Sequence, residues 1–220
     1  MEIHIANTAR LALGSRWPDV WGALTPEERQ RASRFLRDSD RTRYITGVLL
    51  TRAAAAERTG SWWTEIRRNE FGKPFLSGDD SFYFNLSHSD DLVVFAQGNA
   101  PVGVDVERIA PIEWRQLASV FSDEERTMLD RSTEPLRLFY RMWTAREAFA
   151  KEEGVGLSIF EGDVRLDYHS QTVRFGNRVL PFRTLYRGGY WIAVCSRALF
   201  PLSLVELDAQ AWARRVRPPE

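Results

Sequence analysis

Two carboxylates lie close together in the stretch PVGVDVERI, residues 101–109. Its alternation of apolar and polar residues predicts a β-strand with the valines on one face. Asp105 and Glu107 then lie side by side on the other face, where Gly103 leaves room for a close neighbour. The same alternation is typical of any half-exposed strand, so this stretch alone predicts no chemistry.

A third acid lies four residues before a lysine in WTAREAFAK, residues 143–151, where the apolar spacing predicts a helix. Glu147 and Lys151 share one face of that helix. On an exposed helix they would form a surface ion pair, which contributes little stability. Aromatic residues surround the pair, however, and glycines follow at 154 and 156, which favours a functional site.

If Asp105, Glu107 and Glu147 converge in the fold, they create a cation site. Two carboxylates about 4 Å apart repel each other by roughly 4 kcal/mol at an effective dielectric constant of about 20. Three of them need a cation or raised pKa values, and oxygen ligands select Mg²⁺, Ca²⁺ or Mn²⁺. The single cysteine and three scattered histidines argue against zinc. A metal held by acids beside a lysine is suited to phosphoryl-type transfer.

Basic and polar residues in the first half indicate an anion site. The first helical region is rich in arginines, most of which would face water on an exposed helix; they include Arg29, Arg31, Arg34, Arg37, Arg41 and Arg43. Gly72-Lys73-Pro74 reads as a tight turn, which either is only a turn or presents its lysine to a ligand. Ser87-His88-Ser89 interrupts the strand-like run FNLSHSDDLVVFA, either as a polar turn or as part of a pocket for a phosphate or a base edge.

The composition limits what these groups can do. The 220 residues are 44% hydrophobic and 27% charged, which is typical of a globular protein with a sizeable core. The formal net charge is zero, so nucleic acid binding is not expected and any anion site depends on local clusters of arginine and lysine. No apolar run is long enough for a membrane, and the start lacks the layout of a signal peptide. The single Cys195 excludes an intramolecular disulfide, and we expect a cytoplasmic protein.

Two helix starts of the same design position these groups. Thr25 and Ser122 each precede a glutamate by three residues, in TPEER and SDEER, which is a capping box. Each start leads into a long helical stretch that ends at a glycine, followed by hairpins and strands. This repeated order predicts an α+β fold of two similar halves, each an antiparallel sheet packed with a long helix. The halves are 1–103 and 104–220, with the ligand site in the cleft between them.

Taken together, the motifs resemble a known family. GVDVE looks like the G-(I/V)-D-(I/V/L)-E motif, and WTAREAFAK looks like the (F/W)-(S/T)-x-(K/R)-E-(A/S)-x-x-K motif, of the 4′-phosphopantetheinyl transferases. GKPFL, FNLSHS and EGVGL are further matches. The resemblance covers most of the chain and is greatest to the two-lobed, monomeric type that serves peptide and polyketide synthases. It implies the pseudo-two-fold fold of that family.

The resemblance also implies an activity and roles for the acids. Family members move the phosphopantetheine arm of coenzyme A to a serine of an acyl, peptidyl or polyketide carrier protein, need Mg²⁺ and release 3′,5′-ADP. Asp105, Glu107 and Glu147 would hold the metal on the diphosphate, and Glu147 would also be the base for the serine. Lys151 would bind the diphosphate and protonate the leaving phosphate. Glu125 is either a further proton-transfer group or only the capping-box residue.

The implied nucleotide contacts lie in the first half. Arg31, Arg43 and His88 would hold the 3′-phosphate of coenzyme A. Lys73 and Ser87 would lie near the adenine and the ribose.

Two positions depart from the family pattern. Relatives often carry a lysine where this chain has Glu28, which puts one 3′-phosphate contact in doubt unless Arg29 or Arg31 compensates. Arg146 stands in the second motif where lysine is frequent; the charge is kept, but the two side chains are not equivalent donors.

The resemblance places the docking surface for an acidic, helical carrier protein just after the first motif, at Ile109–Phe121. Trp114, Leu117 and Phe121 would form an apolar groove there, with Arg115 at its rim. The alternative is that this amphipathic stretch packs on its own sheet.

Two other functions use the same groups. A Mg²⁺-dependent hydrolase of nucleotide diphosphates would release phosphate or nucleotide from coenzyme A without a carrier. A non-catalytic module would bind coenzyme A or a carrier protein and yield no covalent product.

Overall fold

A computed structural model gives the fold, and it describes residues 1–11, 17–156, 164–198, 201–208, 211–212 and 215–216. Leu157, the last residue of the EGVGL match, lies outside the described residues. No helix within the described ranges is long and apolar enough to cross a membrane.

Within the described residues, the first part of the chain forms three helices and five strands. In chain order these are β1 (Glu2–Asn7), α1 (Trp17–Gly22), α2 (Pro26–Ser33), α3 (Asp38–Thr59), β2 (Ile66–Arg68), β3 (Pro74–Leu76), β4 (Tyr83–Ser89) and β5 (Leu92–Gly98). The predicted capping box begins α2, because the Thr25 side chain accepts from the Glu28 N–H and the Glu28 carboxylate accepts from the Thr25 N–H. The helix α3 ends at Gly60, whose φ of 75° is a left-handed conformation that suits glycine.

The second part repeats this design. Its elements are β6 (Val102–Arg108), a 3₁₀ helix (Trp114–Val120), α4 (Asp123–Arg131), α5 (Pro135–Glu153), β7 (Val164–Asp167), β8 (Thr172–Phe175), β9 (Arg178–Arg187), β10 (Tyr190–Ser196) and β11 (Ser203–Leu207). Ser122 and Glu125 form the second predicted capping box, at the start of α4. The long helix α5 ends at Gly154, as expected from the sequence.

Each part has a sheet covered by its long helix. The first sheet has the strand order β11-β1-β5-β4, and the second has the order β6-β10-β9-β8-β7. The helix α3 packs on β4 and β5, and α5 packs on β6, β9 and β10. The α+β fold, with two largely antiparallel sheets that each pack on a long helix, is therefore confirmed.

The strand β6 lies at the seam between the two sheets. Its valines pack with Ile3, Ile5 and Val94 of the first sheet in a common buried cluster. Its other face, which carries Gly103, Asp105 and Glu107, is turned towards α5. The alternation predicted for this stretch is therefore present, and both of its faces are covered.

The chain returns to the first sheet after completing the second. The strand β11 pairs in parallel with β1, and Trp212 and Val216 are buried in the core of the first sheet. Residues assigned by sequence to the second half thus complete the first sheet. The boundary predicted after Gly103 also lies inside β6, and the division into 1–103 and 104–220 stays a prediction.

Candidate active site

A pocket of about 570 Å³ lies between the two sheets, at the seam. It is lined by nine side chains that the sequence analysis nominated for catalysis, nucleotide binding or metal binding. These are Arg31, Arg43, Lys73, Ser87, His88, Asp105, Glu107, Glu147 and Lys151. The fold thus brings residues that are far apart in sequence to one cavity. Their individual roles stay predictions.

Two serines of β4 face two acids of β6. Ser87 Oγ donates a hydrogen bond of 2.7 Å to Asp105 Oδ1, and Ser89 Oγ donates one of 3.0 Å to Glu107 Oε2. Both pairs are spaced by two residues, so they lie on one face of each strand. This explains the interruption SHS in a strand-like run, because His88 between the serines points to the opposite face.

The helix α5 contributes a lysine and a third acid to the same place. Lys151 Nζ lies 2.6 Å from Asp105 Oδ1 and 2.9 Å from Ser87 Oγ, so it bridges α5 to both edge strands. Glu147 lies one turn earlier on the same helix face and lines the pocket. The Asp105 carboxylate is almost fully buried, and its second oxygen, Oδ2, has no hydrogen-bond partner among the described residues.

The acids are electrostatically under-compensated. Burial, and then the charge of Asp105, raises the pKa of Glu107 to about 7. The same two causes raise the pKa of Glu147. Within the described ranges, no group of three or more His, Cys, Asp or Glu side chains is arranged to hold a metal ion. The donor set nevertheless fits a hard divalent cation, because it consists of carboxylates and offers a buried oxygen without a partner.

Cationic side chains also line the pocket. Arg43 Nη1 donates to the backbone oxygen of Asp90 at 2.6 Å, and Arg43 also pairs with Asp40. Arg31 lies over the ring of Tyr44. Desolvation in the pocket, and then the charge of Arg43, lowers the pKa of His88. Cations held this close to one another favour an anionic ligand.

Arg68 is a pocket residue that the sequence interpretation missed. Its Nη1 donates to the backbone oxygen of Gly72 at 2.8 Å. Arg68 is an exposed residue, but partial desolvation and then the charge of Arg31 lower its pKa. The hairpin pairing was the available signal, because Arg68 lies directly opposite Pro74 of the Gly72-Lys73-Pro74 turn.

Glu28 has a structural role that explains why lysine is absent there. Its carboxylate accepts two hydrogen bonds from the buried Arg52, of 2.9 and 2.8 Å, in a bidentate pair. It also caps α2 by accepting from the Thr25 N–H. A lysine at this position would place a second cation beside Arg52.

Glu125 and Arg146 form a buried pair away from the pocket. Glu125 caps α4, accepts from Arg146, and receives a 2.9 Å hydrogen bond from the Tyr168 hydroxyl. Neither residue is among the described side chains that line the pocket. Of the two readings for Glu125, the structure supports the capping role.

The apolar groove predicted from Trp114, Leu117 and Phe121 is wrong for two of its three members. Trp114 and Phe121 are 7% and 2% exposed and pack against Phe139 in the core of the second part. Trp114 begins the 3₁₀ helix and Phe121 directly follows it, and both belong to one buried cluster with Phe139. Leu117 remains 42% exposed, and Arg115 lies over the Trp114 ring.

Comparisons with known proteins agree with this arrangement. A family model described as 4′-phosphopantetheinyl transferase, N-terminal, matches residues 13–100, and the model of the 4′-phosphopantetheinyl transferase superfamily matches residues 101–195. The 4′-phosphopantetheinyl transferase gsp of Aneurinibacillus migulanus is 31% identical over 198 residues, 85% of this chain and 83% of the relative. The 4′-phosphopantetheinyl transferase ffp of Bacillus subtilis is 30% identical over 199 residues, 86% and 89% of the two chains.

A third relative, the 4′-phosphopantetheinyl transferase Sfp of Bacillus subtilis (strain 168), is 32% identical over 140 residues, 62% of each chain. Both edge strands of the seam, with the serines and the acids, lie within the residues that the two family models match. The chain therefore belongs to the 4′-phosphopantetheinyl transferase superfamily.

Proposed function

We propose that this protein transfers the 4′-phosphopantetheine arm of coenzyme A to a serine of an apo carrier protein, in a Mg²⁺-dependent reaction that releases 3′,5′-ADP. One observation carries the proposal. A single pocket at the seam is lined both by a set of cations, Arg31, Arg43 and Arg68, and by three acids with a lysine. Coenzyme A has a 3′-phosphate and a diphosphate, which match these two sets.

The set of cations suits the 3′-phosphate. Arg31, Arg43 and Arg68 offer guanidinium donors that pair with phosphate oxygens, and His88 lies beside them. Arg68 thus takes the place of the lysine that Glu28 does not supply. In the other set, Lys151 reaches towards the seam and is positioned to bind the diphosphate.

Asp105, Glu107 and Glu147 are the residues that would hold the metal. Mg²⁺, when bound, would neutralise charge on the diphosphate and orient it for attack. The raised pKa values of Glu107 and Glu147 support this assignment, because a nearby divalent cation compensates the burial of their charge.

The transfer itself needs a base and an acid from this chain. The partner serine hydroxyl forms a new bond to the phosphorus that carries pantetheine, and Glu147 accepts its proton. The bond between that phosphorus and the bridging diphosphate oxygen breaks, and Lys151 supplies a proton to the leaving phosphate. Burial raises the pKa of Glu147 above that of a free carboxyl group, which suits a general base. The protein must also align the serine hydroxyl with the diphosphate, and β6 and α5 at the seam would hold the groups that do so.

The carrier protein docks beside the acids. Three exposed apolar side chains follow β6, the strand that carries two of the acids. Ile112 lies before the 3₁₀ helix, Leu117 lies on it, and Met128 lies on α4. A carrier helix seated there would present its serine to Glu147. Because both sets of pocket residues come from one chain, we propose that the protein acts as a monomer.

Mass spectrometry of an apo carrier protein tests the function. The protein, coenzyme A and Mg²⁺ should add one phosphopantetheine to the carrier, and chelation of Mg²⁺ should stop the reaction. Glu147→Gln should lower the rate at least about 100-fold while the fold is retained. Cleavage of coenzyme A with an unmodified carrier would indicate a hydrolase. An unmodified carrier with intact coenzyme A would indicate a binding module.

A further inference from the structure

The turn between β2 and β3 contacts the end of the helix that carries two catalytic side chains. Lys73 Nζ donates to the backbone oxygen of Glu152 at 2.8 Å, in the last turn of α5, and to that of Val102 at 3.0 Å, at the start of β6. Asn69 Nδ2 donates to the backbone oxygen of Gly154 at 3.0 Å. The turn therefore satisfies carbonyls that have no helical partner at the end of α5.

Asn69 also makes this turn rigid. Its Oδ1 accepts from the backbone N–H of Phe71 at 3.0 Å and of Lys73 at 2.8 Å. The backbone N–H of Asn69 donates to the Lys73 oxygen at 3.0 Å. Gly72, with a φ of 84°, closes the turn in a conformation that suits glycine. The lysine is thus presented in one direction.

The lysine is located next to a close contact between β6 and α5. A Cβ atom added to Gly103 would lie 2.0 Å from the backbone oxygen of Ala148 and 2.2 Å from the backbone nitrogen of Glu152. Val102, which accepts from Lys73, comes three residues before Asp105 on the strand. Glu152, the other acceptor, directly follows Lys151 on the helix. A shift at this contact would therefore displace the reacting groups on both elements.

The environment of the ammonium agrees with such a role. It lies at the C-terminus of α5, where the helix dipole favours a positive charge. Burial lowers the pKa of Lys73 to about 8, although the charge of Glu152 opposes the shift. Two of its three donors are used on backbone oxygens rather than left open for a ligand.

We propose that Lys73 is a positioning residue, which clamps β6 to α5 so that Asp105 and Glu107 keep their placement relative to Glu147 and Lys151. The inference rests on the proposed transferase activity but not on its metal dependence. It differs from the contact with adenine and ribose that the family resemblance implies. A misplacement of about 1 Å can cost about 100-fold in rate, so loss of the clamp should affect the chemical step more than nucleotide binding.

Three variants test this role. Lys73→Met should lower kcat by about 10-fold or more and leave the Kd for 3′,5′-ADP, measured by calorimetry, within about 3-fold. Lys73→Arg, which keeps a cationic donor, should retain more of kcat than Lys73→Met. Arg68→Met is the matched comparison from the same hairpin; it should weaken 3′,5′-ADP binding and change kcat less.

Chemical rescue keeps the test decisive if Lys73→Met folds poorly. Lys73→Cys, aminoethylated to restore an ammonium at similar reach, should recover kcat; Cys195 is buried and should not react. A 10-fold rise in the 3′,5′-ADP Kd with kcat unchanged would overturn the proposal in favour of nucleotide contact. A lower melting temperature with unchanged kcat would reduce Lys73 to a stability role. Inactive wild-type protein in the same assay would instead contradict the transferase.

Discussion

Ser89 Oγ donates a 3.0 Å hydrogen bond to Glu107 Oε2 and itself accepts a 3.1 Å hydrogen bond from the backbone N–H of Arg108. The N–H of Arg108 thus orients the Ser89 hydroxyl so that its proton points to the Glu107 carboxylate. Ser89 belongs to the first sheet and Glu107 to the second, so this bond fixes the direction of a predicted metal ligand across the seam.

Ser89→Ala should weaken metal binding. Removing a hydrogen bond to a ligating carboxylate typically costs 10- to 100-fold in metal affinity, and we expect at least about a 10-fold rise in the Mg²⁺ concentration that gives half-maximal rate. Mn²⁺ binding in the presence of coenzyme A, followed by electron paramagnetic resonance, provides a readout independent of turnover. Ser89→Thr keeps the hydroxyl and serves as the control. Equal metal affinity in all three proteins would show that Ser89 does not orient Glu107.

Gly103→Ala should destabilise the protein strongly. The new Cβ would meet backbone atoms of α5 at 2.0 and 2.2 Å, and backbone cannot rotate away as a side chain can. We expect a loss of about 3 kcal/mol or more in the free energy of unfolding, measured in urea. Gly22→Ala is the matched control, since no described atom lies within 4 Å of its Cβ; it should change stability by less than about 0.5 kcal/mol. Similar losses in both variants would mean that β6 and α5 are not in close contact.

Glu28→Lys, which introduces the lysine that the family resemblance implies, should harm the protein. It breaks the bidentate pair with Arg52, whose side chain is 6% exposed, and leaves that cation beside another. Breaking a buried pair in this way costs about 3–5 kcal/mol, measurable by urea unfolding. Glu28→Gln keeps a hydrogen-bond acceptor and should lose less. An active, fully stable Glu28→Lys protein with a lower KM for coenzyme A would contradict the structural role.

Trp114→Ala and Leu117→Ala should separate core packing from carrier docking. Trp114 packs on Phe139, so its truncation should cost about 3–5 kcal/mol of stability. Leu117→Ala, at an exposed position, should change stability by less than about 0.5 kcal/mol and raise the KM for the carrier protein. Thermal unfolding and carrier kinetics at a temperature where both variants are folded make the comparison. An unchanged KM in Leu117→Ala would exclude Leu117 from the docking surface.

The pKa of Lys73 gives a pH dependence with a definite sign. The folded protein releases this proton at about pH 8, whereas the unfolded chain releases it near about 10.4. Between these values the unfolded state binds more protons, so the folded state gains stability as the pH rises. Relative to Lys73→Met, the wild type should gain at most about 3 kcal/mol over this window in urea unfolding. Parallel stability profiles would mean that burial does not lower this pKa.

Local patterns predicted the local parts of this structure. The capping boxes at Thr25 and Ser122 and the alternation in β6 depend on residues a few positions apart, and all three are present. The four-residue spacing of Glu147 and Lys151 also predicted that they share one helix face, and both line the pocket.

Contacts made over long distances could not be inferred in this way. Glu28 pairs with Arg52, which is 24 residues later, and a capping glutamate looks the same in sequence whether or not an arginine reaches it. Trp114 and Leu117 both belong to an amphipathic stretch, and Trp114 is the one that is buried because it packs on Phe139, 25 residues later in the chain. The role of Arg68 depended on the register of a hairpin.

The parallel pairing of β11 with β1 has a consequence for how the protein is made. Residues 203–207 leave the ribosome only after all of the second sheet has been synthesised, yet the first sheet needs them at its edge. A nascent chain that has not reached them exposes β1 as an open strand edge, on which other chains can pair. The first sheet is thus completed only after the second, when β11 pairs with β1. Truncations that remove β11 should therefore promote aggregation rather than yield a separable first lobe.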